Sequence, residues 1–263
     1  MPRFLPAAAL LLALAGCDVN IHEGKASVGV FSAEATEEWT HHYPLSADGV
    51  VEVVNVNGPI VISTGTAGTV EVHALAKAKT ISEAGARDIL AKGKIQEIAE
   101  PARVHIETVT NHGIPPGGSY VVSYEVRIPP GARADLSSTN GSLNASGLDG
   151  KLKTTAINGK VELEDMRGGI DGVVANGSMT VRMNRVTAPV RLEVTNGSLV
   201  LDLPAATKAN LSARVINGAF GVSGLTVPQP TGRRIRELET VLNGGGPEVS
   251  TRVTNGRLSI EGK

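Results

Sequence analysis

One cysteine, Cys17, stands in a chain of 263 residues. No disulfide can close within such a chain, and zinc sites that need two or four thiolates are excluded. Net charge is also nearly absent, at −1, and no run of Lys and Arg occurs that could neutralise a phosphate backbone. That excludes a nucleic-acid binder. Aromatic residues make up only 3% of the chain. Histidine stops early: all six lie at positions 22, 41, 42, 73, 105 and 112. With 41% apolar residues the composition is not that of a disordered chain. Few aromatics among many Val, Leu and Ile point to a core of small aliphatic side chains in layers.

The N-terminus, "MPRFLPAAALLLALAGC", carries one cation, Arg3, and then an apolar stretch from Phe4 to about Ala15. The stretch is too short to cross a hydrocarbon core of ~30 Å as a helix, so residues 1–16 are expected to be a signal peptide. Leu14-Ala15-Gly16-Cys17 resembles the bacterial lipobox, in which the cysteine becomes the acylated first residue of the mature chain. Two or three acyl chains on Cys17, palmitate among them, would hold the protein durably at a membrane, at ~0.8 kcal/mol per buried CH₂. Asp18 resembles the inner-membrane retention signal of enterobacterial lipoproteins, and the expectation stays at inner or outer membrane. The polar stretch 17–38 is expected to be a tether with little structure.

Asn-Gly recurs down the rest of the chain. Its asparagines are Asn57, Asn140, Asn158, Asn176, Asn196, Asn217 and Asn255. From Asn140 to Asn217 the steps are 18, 18, 20 and 21 residues, and the 38 to Asn255 is nearly two steps, with a loop inserted around 226–246. Self-similarity at this period points to stacked coils. Six residues before each Asn stand Val51, Ala134, Leu152, Ile170, Val190, Leu211 and Val249. Apolar residues recur again three and five positions after it, as at Leu199 and Leu201. Even offsets therefore face inward before the Asn and odd offsets after it, so the pleat changes phase at Asn-Gly. A two-residue hairpin satisfies that phase change as well as a solenoid corner does. Recurrence of one amide favours the corner, because stacked Asn side chains can form a hydrogen-bonded ladder while Gly supplies a positive φ.

Residues 39–130 are expected to form an N-terminal cap and first coils, mostly β with one short helix within 81–95, N-capped by Ser82. Residues 131–263 carry the repeat coils, and 39–263 make one domain. The "VEVVNVNGPIVI" segment, the helix, "YVVSYEVRIPPGA" and the serial coils together resemble the DUF4097 family of adhesin-like β-strand-repeat proteins over about residues 45–262. The resemblance implies a right-handed parallel β-helix-like solenoid, all-β, on an exported or membrane-associated bacterial protein. It supplies no catalytic residues.

Glu162 and Glu164 share an outward face beside Asp165, with Asp149 and Asp171 at turns and Arg182 and Arg191 nearby. That set could line an acidic-basic groove, yet nothing separates two carboxylates into different environments, as acid–base work requires. Ser142, Ser178 and Ser198 form a column without a coil histidine to act as base. Trp39, Tyr43 and Phe31 are expected to plug the open end of the solenoid rather than stack on sugar. The reading is a non-catalytic envelope lipoprotein, a structural, adhesive or binding scaffold with no metal and no cofactor. Its expected partners are a membrane through the lipid anchor, a protein or glycan, and its own copies through exposed coil ends. The alternatives are a carbohydrate-active enzyme on the same fold and a regulatory component that contacts a membrane protein.

Overall fold

A computed structural model describes residues 17–22, 25–30, 33–110, 114–227 and 236–263, with side chains from residue 33 onward. The chain is mostly β, with one short helix. Strands β1 (Cys17–His22) and β2 (Lys25–Val30) form an antiparallel pair of their own. The main sheet begins with β3 (Ala33–Pro44), β4 (Val50–Asn57), β5 (Ile60–Thr64) and β6 (Thr69–Thr80). Helix α1 (Glu83–Lys92) follows, then β7 (Gly93–Glu100), β8 (Arg103–Thr110) and β9 (Ser119–Ile128). The Asn-Gly strands come next: β10 (Arg133–Ser146), β11 (Leu152–Met166), β12 (Ile170–Met183), β13 (Val190–Leu203) and β14 (Ala209–Ser223). Last are β15 (Glu237–Leu242) and β16 (Glu248–Gly262).

Each Asn-Gly strand has a first arm before its asparagine and a second arm after it. Neighbouring strands pair parallel and in register through both arms, Asn on Asn and Gly on Gly. The hairpin alternative is thereby replaced: an Asn-Gly hairpin would make the two arms antiparallel partners, and each arm instead pairs with the same arm of the next strand. In β13 the inward residues are Val190, Leu192 and Val194, then Leu199, Leu201 and Leu203, none more than 1% exposed. The pleat phase shifts at the corner because a chain that keeps one face inward must skip a residue there. Both arms thus present aliphatic side chains to one shared interior. At the cap the first-arm layer continues through β4, β8 and β7, and the second-arm layer through β5, β9, β6 and β3. A hydrogen bond between Thr108 Oγ1 and Tyr124 Oη, 2.6 Å long, joins the two layers inside.

The corners are held in two ways. Asn Nδ2 donates to the Oδ1 of the adjacent rung at 2.9–3.1 Å, in the order Asn57, Asn140, Asn158, Asn176, Asn196, Asn255, Asn217. Gly is required for a reason beyond its backbone freedom. A Cβ at Gly197 would lie 1.7 Å from the carbonyl oxygen of Gly177, and one at Gly256 equally close to that of Gly197. Positive φ adds to this at Gly197 (145°) and Gly256 (147°), whereas Gly141 and Gly159 are held by close approach alone.

Two expectations are corrected. The rungs do not stack in chain order: β16 inserts between β13 and β14, so Asn255 lies between Asn196 and Asn217. The inserted loop contains β15, which returns antiparallel along the first arm of β14 and covers it, so the chain must come back one layer inside. The stretch 17–38 is not a bare tether, since it holds β1, β2 and half of β3, whose alternation pairs with β6 over twelve residues. The helix lies within the 81–95 window, as expected. Ser82 Oγ accepts from Gly85 N–H at its start, and Gly93 ends it by opening β7.

The corner geometry predicts unequal costs. Gly197→Ala should lower unfolding stability by more than about 3 kcal/mol, since strain and a clash with backbone add together. Asn196→Ala should lower it by about 1–2 kcal/mol through loss of two exposed amide bonds. Urea unfolding followed by circular dichroism measures both, and equal effects would contradict the close-approach account.

Candidate functional site

The outer surfaces are built of columns, because every outward position repeats at the spacing of the rungs. On the first-arm layer, five residues before the Asn, the column runs Glu52, Asp135, Lys153, Asp171, Arg191 and Ser250. Opposite charges meet between rungs: Lys153 Nζ lies 3.0 Å from Asp135, and Arg167 bridges Asp149 (3.0 Å) and Asp165 (2.9 Å). At the cap end Arg103 donates to both oxygens of Glu52, at 3.0 and 2.6 Å, and His105 Nδ1 lies 2.9 Å from the same carboxylate. The Arg103 guanidinium, with His105, holds the Glu52 carboxyl below its usual range.

A cavity of ≈ 420 Å³ lies on this layer, past the second arms, where each chain turns back toward the next first arm. Asp149, Lys151, Asp171, Arg191 and Glu248 face it, over a floor of Gly169 and Pro189. Asp149, Asp171 and Arg191 therefore do converge. Arg182 does not join them: it sits on the second-arm layer, paired with Glu164 and 3.5 Å from Asp202. Lys151 and Glu248 were missed by the sequence reading. Glu248 comes beside Pro189 only because β16 stacks on β13, which the chain order hides.

Glu162 and Glu164 line a shallower hollow of ≈ 250 Å³ on the second-arm layer with Val61 and Asn144. Glu162 pairs with Lys160 at 2.6 Å, and Glu164 with Arg182. Each carboxylate thus has a cation of its own. Asp202, which the sequence reading did not single out, is the more buried group: its side chain is 8% exposed and meets Lys263 and Arg182. Only its place six residues after Asn196, in the column of Glu164 and Arg182, could have drawn attention to it.

At the cap end Trp39, His41 and Tyr43 alternate along the inner face of β3. The rings of Trp39 and His41 stack at 4.3 Å, and Tyr43 is buried, donating its hydroxyl to Glu97. Burial and the Glu97 carboxylate push the Tyr43 phenol well above its ordinary pKa. Trp39 and Tyr43 thus sit where the core ends, packed against it. Phe31 and His112 lie outside the described residues, and so does the side chain of Cys17. His42 and His73 flank a small hollow with Glu71 and Glu125. Among the described residues no group of three His, Cys, Asp or Glu is placed to hold a metal ion, and no helix is long and apolar enough to cross a membrane.

No family model and no curated protein matches the chain. Solved structures do resemble it. One is a provisionally named cell adhesion protein from Clostridium sporogenes, 10% identical, with a TM-score of 0.41 over 86% of this chain and 100% of the other. Another is a provisionally named adhesin from Bacteroides fragilis, 11% identical, with a TM-score of 0.33 over 86% and 97%.

The Glu52 cluster gives a pH prediction with a defined sign. Its folded pKa lies below the unfolded value, so the stabilisation is complete above the ordinary carboxylate range and fades as pH falls through the folded value. Glu52→Gln should therefore melt below the wild type at pH 7, and the gap should close below about pH 4. A gap unchanged down to pH 3 would remove Glu52 ionisation as its cause.

Proposed function

We propose that the chain is a β-solenoid scaffold of the bacterial cell envelope. In this reading Cys17 carries acyl chains that hold it at a membrane, and the columned faces bind glycan or protein without turning it over. The same reading makes it a relative of the DUF4097 adhesin-like proteins, on the motifs named above. One observation carries the proposal: seven in-register rungs repeat each outward residue at a fixed step of about 4.8 Å, with charges satisfied between rungs. Such a face offers an extended partner many equivalent small contacts. The Leu14-Ala15-Gly16-Cys17 run supports the anchor, since the acylated cysteine of a lipobox is the residue that stands there.

A second reading draws on the ≈ 420 Å³ cavity, where Asp149, Asp171, Arg191 and Glu248 converge. A sugar could be bound there and cleaved between carboxylates.

Two measurements separate these readings. Bacterial cells fed labelled palmitate should label the wild-type chain and not Cys17→Ser, which should leave the membrane fraction. An unlabelled wild type overturns the anchor. The purified chain, screened against bacterial and plant polysaccharides, should bind without releasing reducing ends or unsaturated products. Product release that Asp171→Asn abolishes would replace the scaffold with the enzyme.

A further inference from the structure

The two layers of the main sheet end out of step. Along the first-arm layer the strands run β7, β8, β4, β10, β11, β12, β13, β16, β14, β15. Along the second-arm layer they run β3, β6, β9, β5, then β10 to β13, β16 and β14. The second-arm layer therefore projects by one strand, β3, at the cap end. The first-arm layer projects by one strand, β15, at the other. Each end is a step, and the two steps are complementary.

We infer that a second copy of this chain docks head to tail, its β3 completing the second-arm layer beside Ala219–Ser223 of β14 while its β7 meets β15. The inference goes beyond the scaffold reading and needs neither the anchor nor a glycan.

Strand direction agrees with it. β5 and β9 are parallel, and β9 to β6 and β6 to β3 are antiparallel, so β3 runs the way the second arms run. β7 and β15 each lie antiparallel to a first arm, so they run alike. A copy translated along the stack continues both layers with parallel pairs.

The inward columns agree as well. Through its partners Ile60 is in register with Tyr124, Ala74 and Trp39 in one direction. In the other it leads through Leu143, Val161, Met179, Leu199 and Leu258 to Phe220. Trp39 and Phe220 are thus the two ends of one core column, and His41 and Val222 are the ends of the next. The interior members of the first column are fully buried; Trp39 and Phe220 are only partly covered. Between the edge strands β3 and β7 lies a hollow of ≈ 230 Å³, lined by Trp39, Ala76, Ile95 and Tyr120 with Glu37 and Lys94, and Trp39, the column neighbour of an incoming Phe220, forms part of its wall. Of the polar groups at that end, Glu97, His41 and the Tyr43 hydroxyl bond to one another.

Among the described residues nothing pairs with the outer edge of the second arm of β14: Ala219–Ser223 has a strand neighbour on one side only, β16. It carries no charge and no proline, the devices that normally keep an edge strand from pairing. A heterologous contact of this kind does not close on itself, so it builds an open series rather than a dimer.

Sedimentation of the Cys17→Ser chain, free of acyl chains, should show dimer, trimer and higher species growing with concentration. Phe220→Lys and Trp39→Lys should each raise the dissociation constant at least tenfold while keeping the parent's circular dichroism. Mixed together they should give dimers and nothing larger, since one intact head meets one intact tail. Should Phe220→Lys misfold, Val222→Lys tests the same edge. Disulfide trapping adds a second reading: Trp39→Cys and Phe220→Cys chains should cross-link when mixed and not singly. A parent that stays monomeric at every concentration overturns the inference. So does an assembly that stops at dimers, or one that both substitutions leave intact.

Discussion

Everything in this fold hangs on how closely two backbones pass at the Asn-Gly corner. With strands about 4.8 Å apart, a chain that turns a corner directly above another chain turning the same corner leaves no room for a Cβ on the inner side of the bend. The carbonyl oxygen of one glycine occupies the place where the next glycine's side chain would begin, at 1.7–1.8 Å for the five glycines from Gly159 through Gly177, Gly197 and Gly256 to Gly218. The asparagine beside it has the complementary part. Its amide is short enough to reach the same atoms one rung away, and it both donates and accepts, so every rung satisfies the one before and offers the same group to the one after. Glycine permits the spacing, and asparagine sets the register.

Once the corners are in register, the outer faces follow without further instruction. Residues at one offset stack in a line, and a charge at one rung meets whatever its neighbour carries. Asp135 with Lys153, Asp149 with Arg167 and Glu164 with Arg182 are each one 18-residue step apart. Exposed pairs of this kind contribute only about 0.2–1 kcal/mol each. Their weight lies elsewhere: like charges in one column would repel at every rung, and where two carboxylates adjoin, as Glu52 and Asp135 do, Arg103 and Lys153 on either side take them up. The interior obeys the same rule with volume in place of charge. Met179 reaches into the space left by Gly172, where a Cβ would come within 3.0 Å of its methyl.

Much of this is legible in the sequence. The seven asparagines are the seven rungs, the inward offsets are the buried ones, and Ser82 caps α1, because each depends on residues within one repeat. The order of stacking was not legible, and the reason is physical. A rung recognises its neighbour through Asn, Gly and a few aliphatic positions that all rungs share, so nothing local distinguishes Asn217 from Asn255 as the partner of Asn196. The choice is made by β15, whose antiparallel return along β14 covers that strand's free first arm and sends the chain back between β13 and β14. Glu248 reaches the cavity beside Asp171 and Arg191, and Glu97 reaches Tyr43, across the same kind of non-local contact. Sequence columns carry no information about such meetings.

A repeat that cannot tell its own position also cannot tell where to stop. Every rung presents the same unpaired edge that recruited it, so termination must come from residues outside the motif. At the cap end the chain uses longer strands, a helix whose Ala86 and Ile89 are buried, and an inward set of His41, Tyr43 and Glu97 that replaces aliphatic side chains at the last layer. At the other end β15 covers one layer only, while Phe220 and Val222 on the second arm of β14, like Leu225 and Val227 after it, are only partly buried against the core. Were both layers simply cut off level, each end would be an equal hazard for unregulated pairing. Staggering them by one strand makes an end that accepts a matching step in one orientation, and a flat edge from another protein would meet β15 before it met β14. The same geometry that makes the corners stack within the chain thus sets which surface could continue the stack beyond it.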